Sequence, residues 1–181
     1  MLIHTPWGAA DYEKLYAEGV VFYGAPSHGG FKLDAERNAK VHPLLRERSG
    51  WYEEDCAWSK VAFTFPEIFS EKDRVAAVAT LKDWYPDAYE AIAVVQLAPG
   101  ESVVKDERRF HQAHADDWVA ISAITSGRHP GMIECVAAKG GARGQVPERR
   151  YLVSQEEYRN RGRFGFVIDE ARHALCDGPG T

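Results

Sequence analysis

Hydrophobic and polar positions change their period twice along this chain. The opening thirty-odd residues carry no helical stripe and read first as irregular, then as extended. Gly19-Val20-Val21-Phe22-Tyr23 is a β-branched and aromatic run closed by Gly24, Pro26, Gly29 and Gly30, and Phe31-Lys32-Leu33 fits the returning strand across that turn. Asp34 stands where an N-cap would start a short helix from Ala35 to Val41, which Pro43 ends. The period then becomes helical. Trp58, Val61, Ala62 and Phe65 follow i, i+3, i+4, i+7, and Pro66 stops the stripe. A second helix begins at Ser70, with Asp73 completing a variant capping box, and runs to about Trp84 before Pro86. A third covers Asp87 to about Val95, and a polar fourth covers roughly Glu101 to Ala115.

Beyond residue 117 the alternation is that of strands. Trp118–Ile124 and Met132–Ala138 flank a loop holding Gly127, Pro130 and Gly131, which predicts an antiparallel hairpin. A Gly-rich turn at 140–144 leads to a third strand, Arg150–Val153; Ser154 with Glu157 caps a short helix, and Phe164–Ile168 reads as a last strand. Helices first and antiparallel strands later give an α+β fold: an N-terminal helical part packed with an antiparallel sheet formed largely by the C-terminal half. No repeat or linker divides the sequence, so residues 1–181 are expected to form a single globular domain.

Composition adds bounds. With 45% hydrophobic and 27% charged residues, and with five Trp, eight Tyr and eight Phe, the chain has material for a core and is not disordered. The longest apolar runs, such as Ala91–Val95, are too short to cross a bilayer, so no membrane partner is expected. The opening Met-Leu-Ile-His-Thr-Pro-Trp-Gly has no basic region followed by an apolar one, which points to the cytoplasm. Cys56, Cys135 and Cys176 show no C-x-x-C spacing; they read as reduced, mostly structural thiols. The net charge of −5 is uneven, because residues 139–163 hold seven basic against three acidic side chains. That balance is neither basic enough for a dedicated nucleic-acid binder nor acidic enough for a mimic of DNA.

Several segments together resemble a family. Thr-Pro-Trp-Gly (5–8), Ser-His-Gly-Gly-Phe-Lys-Leu (27–33), Trp-Tyr-Glu-Glu-Asp-Cys-Ala-Trp (51–58), Asp-Trp-Tyr-Pro-Asp-Ala-Tyr-Glu (83–90), and the closing Tyr-Leu-Val-Ser-Gln-Glu-Glu-Tyr and Phe-Gly-Phe-Val-Ile-Asp are similar to an uncharacterised bacterial domain family carried on proteobacterial plasmids and other mobile elements. The resemblance implies an accessory or anti-defence setting and carries over no catalytic residues.

The candidate chemistry is dispersed. Glu107, His111 and His114 share one helical face and have metal-ligand types, with Asp116 or Asp117 nearby; the simpler reading is a solvated polar face. Ser27-His28-Gly29-Gly30 joins a hydroxyl, an imidazole and a flexible backbone, but there is no nucleophile elbow, and a tight turn explains it. Cys56 is a nucleophile only if His28 or a helix start activates it, and the preceding Glu53, Glu54 and Asp55 oppose a thiolate. Those three acids fit the positive end of a helix dipole. With Trp51 and Tyr52 they would equally suit a partner-binding surface of aromatic anchors ringed by charge. Lys139, Arg143 and Arg149, interleaved with glycines, are candidates for anion contact, with nucleic acid a lesser partner. No cofactor motif is present. The expected function is therefore a non-catalytic interaction protein of a mobile element, and more narrowly an anti-defence inhibitor that binds a host protein or nucleoprotein complex. The alternative is a small hydrolase or transferase using His28 with Cys56 or Ser27, or a metal at His111 and His114.

Overall fold

The computed structural model describes residues 3–176; Met1 and Leu2, where the leader reading began, lie outside them. The sequence offered no linker on which to divide the chain, but its contacts divide it into two compact units, Met1–Lys105 and Asp106–Thr181. The fold is α+β, with antiparallel sheets in both units.

In the first unit, β1 (His4–Thr5) and β2 (Gly8–Ala9) form a small ribbon. β3 (Tyr12–Ala17), β4 (Val20–Gly24), β5 (Gly29–Leu33) and, after α1 (Ala35–Lys40), β6 (Trp51–Glu53) form a four-stranded sheet in sequence order. The β4–β5 hairpin was legible in the sequence. The flanking β3 and β6 were not, and they turn that hairpin into a sheet belonging to the N-terminal half. Helices α2 (Trp58–Thr64), α3 (Glu71–Trp84) and α4 (Pro86–Ala93) follow, with one 3₁₀ turn at Pro66–Ile68. The caps are as the sequence predicts: Asp34 accepts from the Arg37 N–H, and Ser70 accepts from the Asp73 N–H. The apolar stripe of α2 is buried at Val61, Ala62 and Phe65, against Val20, Phe31, Leu33, Tyr52 and Leu81. Val61 and Phe65 each contribute about 1.5–3 kcal/mol by leaving water.

One ion pair is built into this core. Lys60, only 6% exposed, places its Nζ 2.5 Å from Glu47 Oε1 and 4.0 Å from the centre of the Tyr85 ring. Burial, with the charges of Cys56, Glu47 and Glu53, pushes the Tyr85 hydroxyl up to about 12, so this ring stays neutral.

The boundary between the units falls within α5 (Val103–Ala113). In the second unit, β7 (Trp118–Thr125), β8 (Met132–Lys139) and β9 (Glu148–Ser154) make an antiparallel meander. After α6 (Gln155–Arg159), β10 (Ala174–Leu175) joins β9, giving the order β10-β9-β8-β7. The hairpin and the Ser154 cap were predicted. The last strand was misplaced: Phe164–Ile168 is not a strand but a turn followed by irregular backbone, touched by two isolated bridges, Gly162↔Gly165 and Val119↔Val167. Its bonds, Ala120 N–H to Phe166 O and Ile168 N–H to Trp118 O, do anchor Phe166 and Ile168 in the core with Trp118, Cys135, Tyr151 and Val153. Among the described residues no helix is long and apolar enough to cross a membrane.

Candidate functional site

The register of β5 on β6 assembles the residues of greatest chemical interest. Pairing Gly30 with Glu53 and Phe31 with Tyr52 sets the β4–β5 turn, residues 25–28, beside the acidic segment 53–55. The Glu54 N–H donates to Gly29 O at 3.0 Å. Ser27 and His28 stand exposed on that turn, and His28 Nδ1 lies 3.7 Å from Glu54 Oε1.

The two glycines are there for close approach. A Cβ on Gly29 would lie 2.7 Å from Phe22 Cζ and 2.8 Å from Glu54 Oε2, and one on Gly30 would lie 2.3 Å from Trp7 Cη2 and 2.5 Å from Tyr52 O. The His-Gly-Gly stretch thus admits its neighbours' side chains.

The five residues of the aromatic-acidic segment separate by strand alternation. Tyr52 is core, fully buried, its hydroxyl donating to Asn38 Oδ1 at 2.6 Å, so it is not available to a partner. Trp51 is half-buried, edge-on to Trp7 at 5.7 Å and beside Tyr23 at the same distance, with Lys32 above its ring. The acids are not first-turn charges on α2, which has no acidic residue there and no side-chain cap. Glu53 instead closes a turn, accepting from the Asp55 N–H at 2.5 Å and the Cys56 N–H at 3.2 Å. Burial raises its carboxyl, but these backbone donors outweigh it and hold Glu53 below the ordinary range; Asp55 is raised by its hydrogen bond to Glu53 and by that neighbour's charge. Glu54 and Asp55 are exposed.

His28, Glu53 and Asp55 each offer a donor atom within 4.8 Å of the others, the only such group among the described residues. A divalent cation could use this nitrogen and two oxygens. As folded, however, Glu53 and Asp55 are engaged with each other and with backbone. The predicted trio Glu107, His111 and His114 does not converge in this way. His111 lies 4.0 Å from Glu107 and His114 turns to Asp117 at 2.7 Å, packing on Phe110. Cys56 is half-buried, and burial with the charges of Glu53 and Asp55 pushes its thiol up, against a nucleophilic role.

Beside Glu54 opens a cleft of about 270 Å³ that sequence reasoning missed. Its walls are Tyr16, Phe22, Phe31, Trp58 and Phe69, and Glu54 and Asp73 complete the lining. The rings form a continuous set: Tyr16 meets Phe31 at 4.9 Å and Phe69 at 5.5 Å, Phe22 meets Phe31 at 5.3 Å, and Trp58 meets Phe69 at 6.4 Å. Among the described residues no Lys or Arg pairs with either carboxylate; Glu54 faces His28, and Asp73 Oδ2 accepts from Ser70 Oγ at 2.7 Å. A larger polar cavity of about 410 Å³ is lined by Lys32, Arg46 and Arg48. There Lys32 and Arg46 are already spent on backbone carbonyls of Ser49, Ala39 and Val41.

In the second unit the anion candidates are similarly engaged. Lys139 and Arg149 both lie over the Trp118 ring, at 4.8 and 4.6 Å. Lys139 also donates to Asp116 O, Arg149 pairs with Glu170, and Arg143 donates to Ile121 O. Division by unit clarifies the charge: residues 1–105 hold 16 acidic and 11 basic side chains, a balance of −5, whereas residues 106–181 hold 11 of each. The whole net charge therefore resides on the unit with the aromatic cleft.

No curated protein and no solved structure matches the chain. A family model does, over residues 1–115, from the start of the chain to just past α5. The chain therefore belongs to the DUF7007 family, a domain of unknown function.

Proposed function

We propose that this protein is a non-catalytic interaction module whose first unit binds a basic segment of a partner protein. The single observation that carries the reading is the aromatic cleft with two carboxylates that, among the described residues, pair with no Lys or Arg. Rigid aromatic rings beside carboxylates without a Lys or Arg partner are the ingredients of a binding hot spot, and a unit holding all the net negative charge steers a basic partner toward it. The enzymatic alternative has weaker support, since the Cys56 thiol is raised and Ser27 stands on an exposed turn. On the family resemblance, the partner is a host protein or nucleoprotein complex in the bacterial cytoplasm, bound by an accessory or anti-defence protein of a mobile element.

The test is affinity capture from nuclease-treated bacterial lysate with the wild-type chain and with Glu54→Lys, each verified as folded by circular dichroism. A defined protein retained by the wild type and lost with the charge reversal supports the reading. Identical captures, or none, refute it.

A further inference from the structure

The cleft also carries the chemistry of its occupant, and this step rests on the interaction reading above. A volume of about 270 Å³ lies just below the roughly 300–1,000 Å³ of sites for whole small molecules. It suits one side chain inserted from a partner. The walls are five aromatic rings, whose faces attract a cation and whose apolar surface covers a hydrocarbon stem. Glu54 and Asp73 line the same space without a Lys or Arg partner among the described residues. An aliphatic or aromatic guest would satisfy the rings and bury carboxylates that have no Lys or Arg partner, which costs free energy. An acidic guest would add repulsion. A guest with an apolar stem and a positive head satisfies both kinds of wall.

We infer that this cleft is a receptor for the side chain of a lysine or arginine presented by the partner. The stem lies along Phe31 and Phe69, and the charged head meets Glu54 and Asp73. Gly29 is part of the device, because the space above its Cα is what lets Phe22 and Glu54 line the cleft together.

The experiment needs no natural partner. Isotope-labelled full chain is titrated with Nα-acetyl-lysine methylamide, with the arginine analogue, and with the Nε-acetylated lysine analogue, which keeps the stem and loses the charge. Shifts of the Trp58 indole and of the Glu54, Phe69 and Asp73 amides are followed by two-dimensional NMR. Saturable, salt-sensitive shifts confined to these residues are expected for a charged probe. The neutral analogue should bind about tenfold more weakly, and Glu54→Gln and Asp73→Asn should each weaken the charged probe about threefold to tenfold, in line with a desolvated cation–π and carboxylate contact. Gly29→Ala, whose Cβ meets Phe22 Cζ and Glu54 Oε2 first and the Tyr23 carbonyl at 3.1 Å, should weaken it while the spectrum stays folded. Equal binding of the neutral analogue, shifts centred elsewhere, or no binding by either charged probe overturns the inference. Charged-probe binding at the cleft with no captured partner would instead refute the interaction reading alone, and a Glu54-dependent partner with no response to either charged probe would refute this inference alone.

Discussion

Gly30→Ala tests the register on which the whole site depends. An ideal Cβ at residue 30 falls 2.3 Å from Trp7 Cη2, 2.8 Å from Trp7 Cζ3 and 2.5 Å from Tyr52 O, whereas ordinary contact begins near 3.4 Å. The indole can retreat, at the expense of its edge-on contact with Trp51, a pair worth about 0.5–1.5 kcal/mol. The carbonyl cannot move freely. Tyr52 is paired with Phe31 across the ladder, and its buried hydroxyl is tied to Asn38 and the Glu47 N–H. Forcing β5 and β6 apart is an overpacking event of about 1–3 kcal/mol. Together the losses come to about 1.5–4.5 kcal/mol, a large part of the stability of a domain this size. The assay is urea unfolding followed by tryptophan fluorescence, which reports mainly on the first unit because Trp7, Trp51, Trp58 and Trp84 lie there and only Trp118 lies in the second. In a thermal scan the same loss should appear as a fall of about 4–8 °C per kcal/mol. Ser27→Ala, on the exposed turn three residues away, should change stability by less than about 0.5 kcal/mol. A Gly30→Ala loss no larger than that of Ser27→Ala, at unchanged denaturant slope, would refute the Gly30–Glu53 register and the site built on it.

Three further outcomes are expected. Val94 ends α4 in a left-handed conformation, φ 55°, with its side chain 88% exposed, so Val94→Gly should stabilise the first unit by about 1 kcal/mol in the same titration. Burial pushes the Cys135 thiol up to about 11, and burial with Glu53 and Asp55 raises Cys56. Mass-spectrometric mapping after brief alkylation at neutral pH should therefore find Cys135 unmodified and Cys56 slower than a free thiol; fast labelling at Cys56 would reopen the enzymatic reading. In the second unit, His173 and Arg172 hold the Glu157 carboxyl below its ordinary value, and Arg172 does so for Asp169. His173 Nε2 sits 3.2 Å from Glu157 Oε2 without making a hydrogen bond to it. Both carboxyls titrate lower in the folded protein than in the unfolded chain. Their stabilisation is complete above the unfolded values, about 4, and is lost as pH falls through the lower folded values. Glu157→Gln should flatten the acid limb of the stability profile, and an unchanged limb would assign acid unfolding to other groups.

Features that depend on neighbours a few residues apart were legible in the chain. Asp34, Ser70 and Ser154 cap helices because each side chain reaches an N–H three residues on, and Pro66 and Pro86 bound helices because proline restricts the backbone locally. The hairpin β7–β8 and the apolar stripe of α2 are local patterns in the same sense, and the α+β class follows from them. Tertiary structure alone decided the rest, because a β-ladder joins residues whose separation leaves no periodic mark. Tyr12–Ala17 is too polar to announce itself as a strand and is one only because β4 pairs with it. Glu53 to Asp55 look like helix-start charges until β6 takes Glu53 into the sheet and brings the segment to His28. The helical spacing of Glu107, His111 and His114 was visible and did not converge, whereas His28, Glu53 and Asp55 had no spacing to see and did. The cleft is the clearest case: Tyr16, Phe31, Trp58 and Phe69 come from four separate places in the chain, and only packing makes them walls of one space.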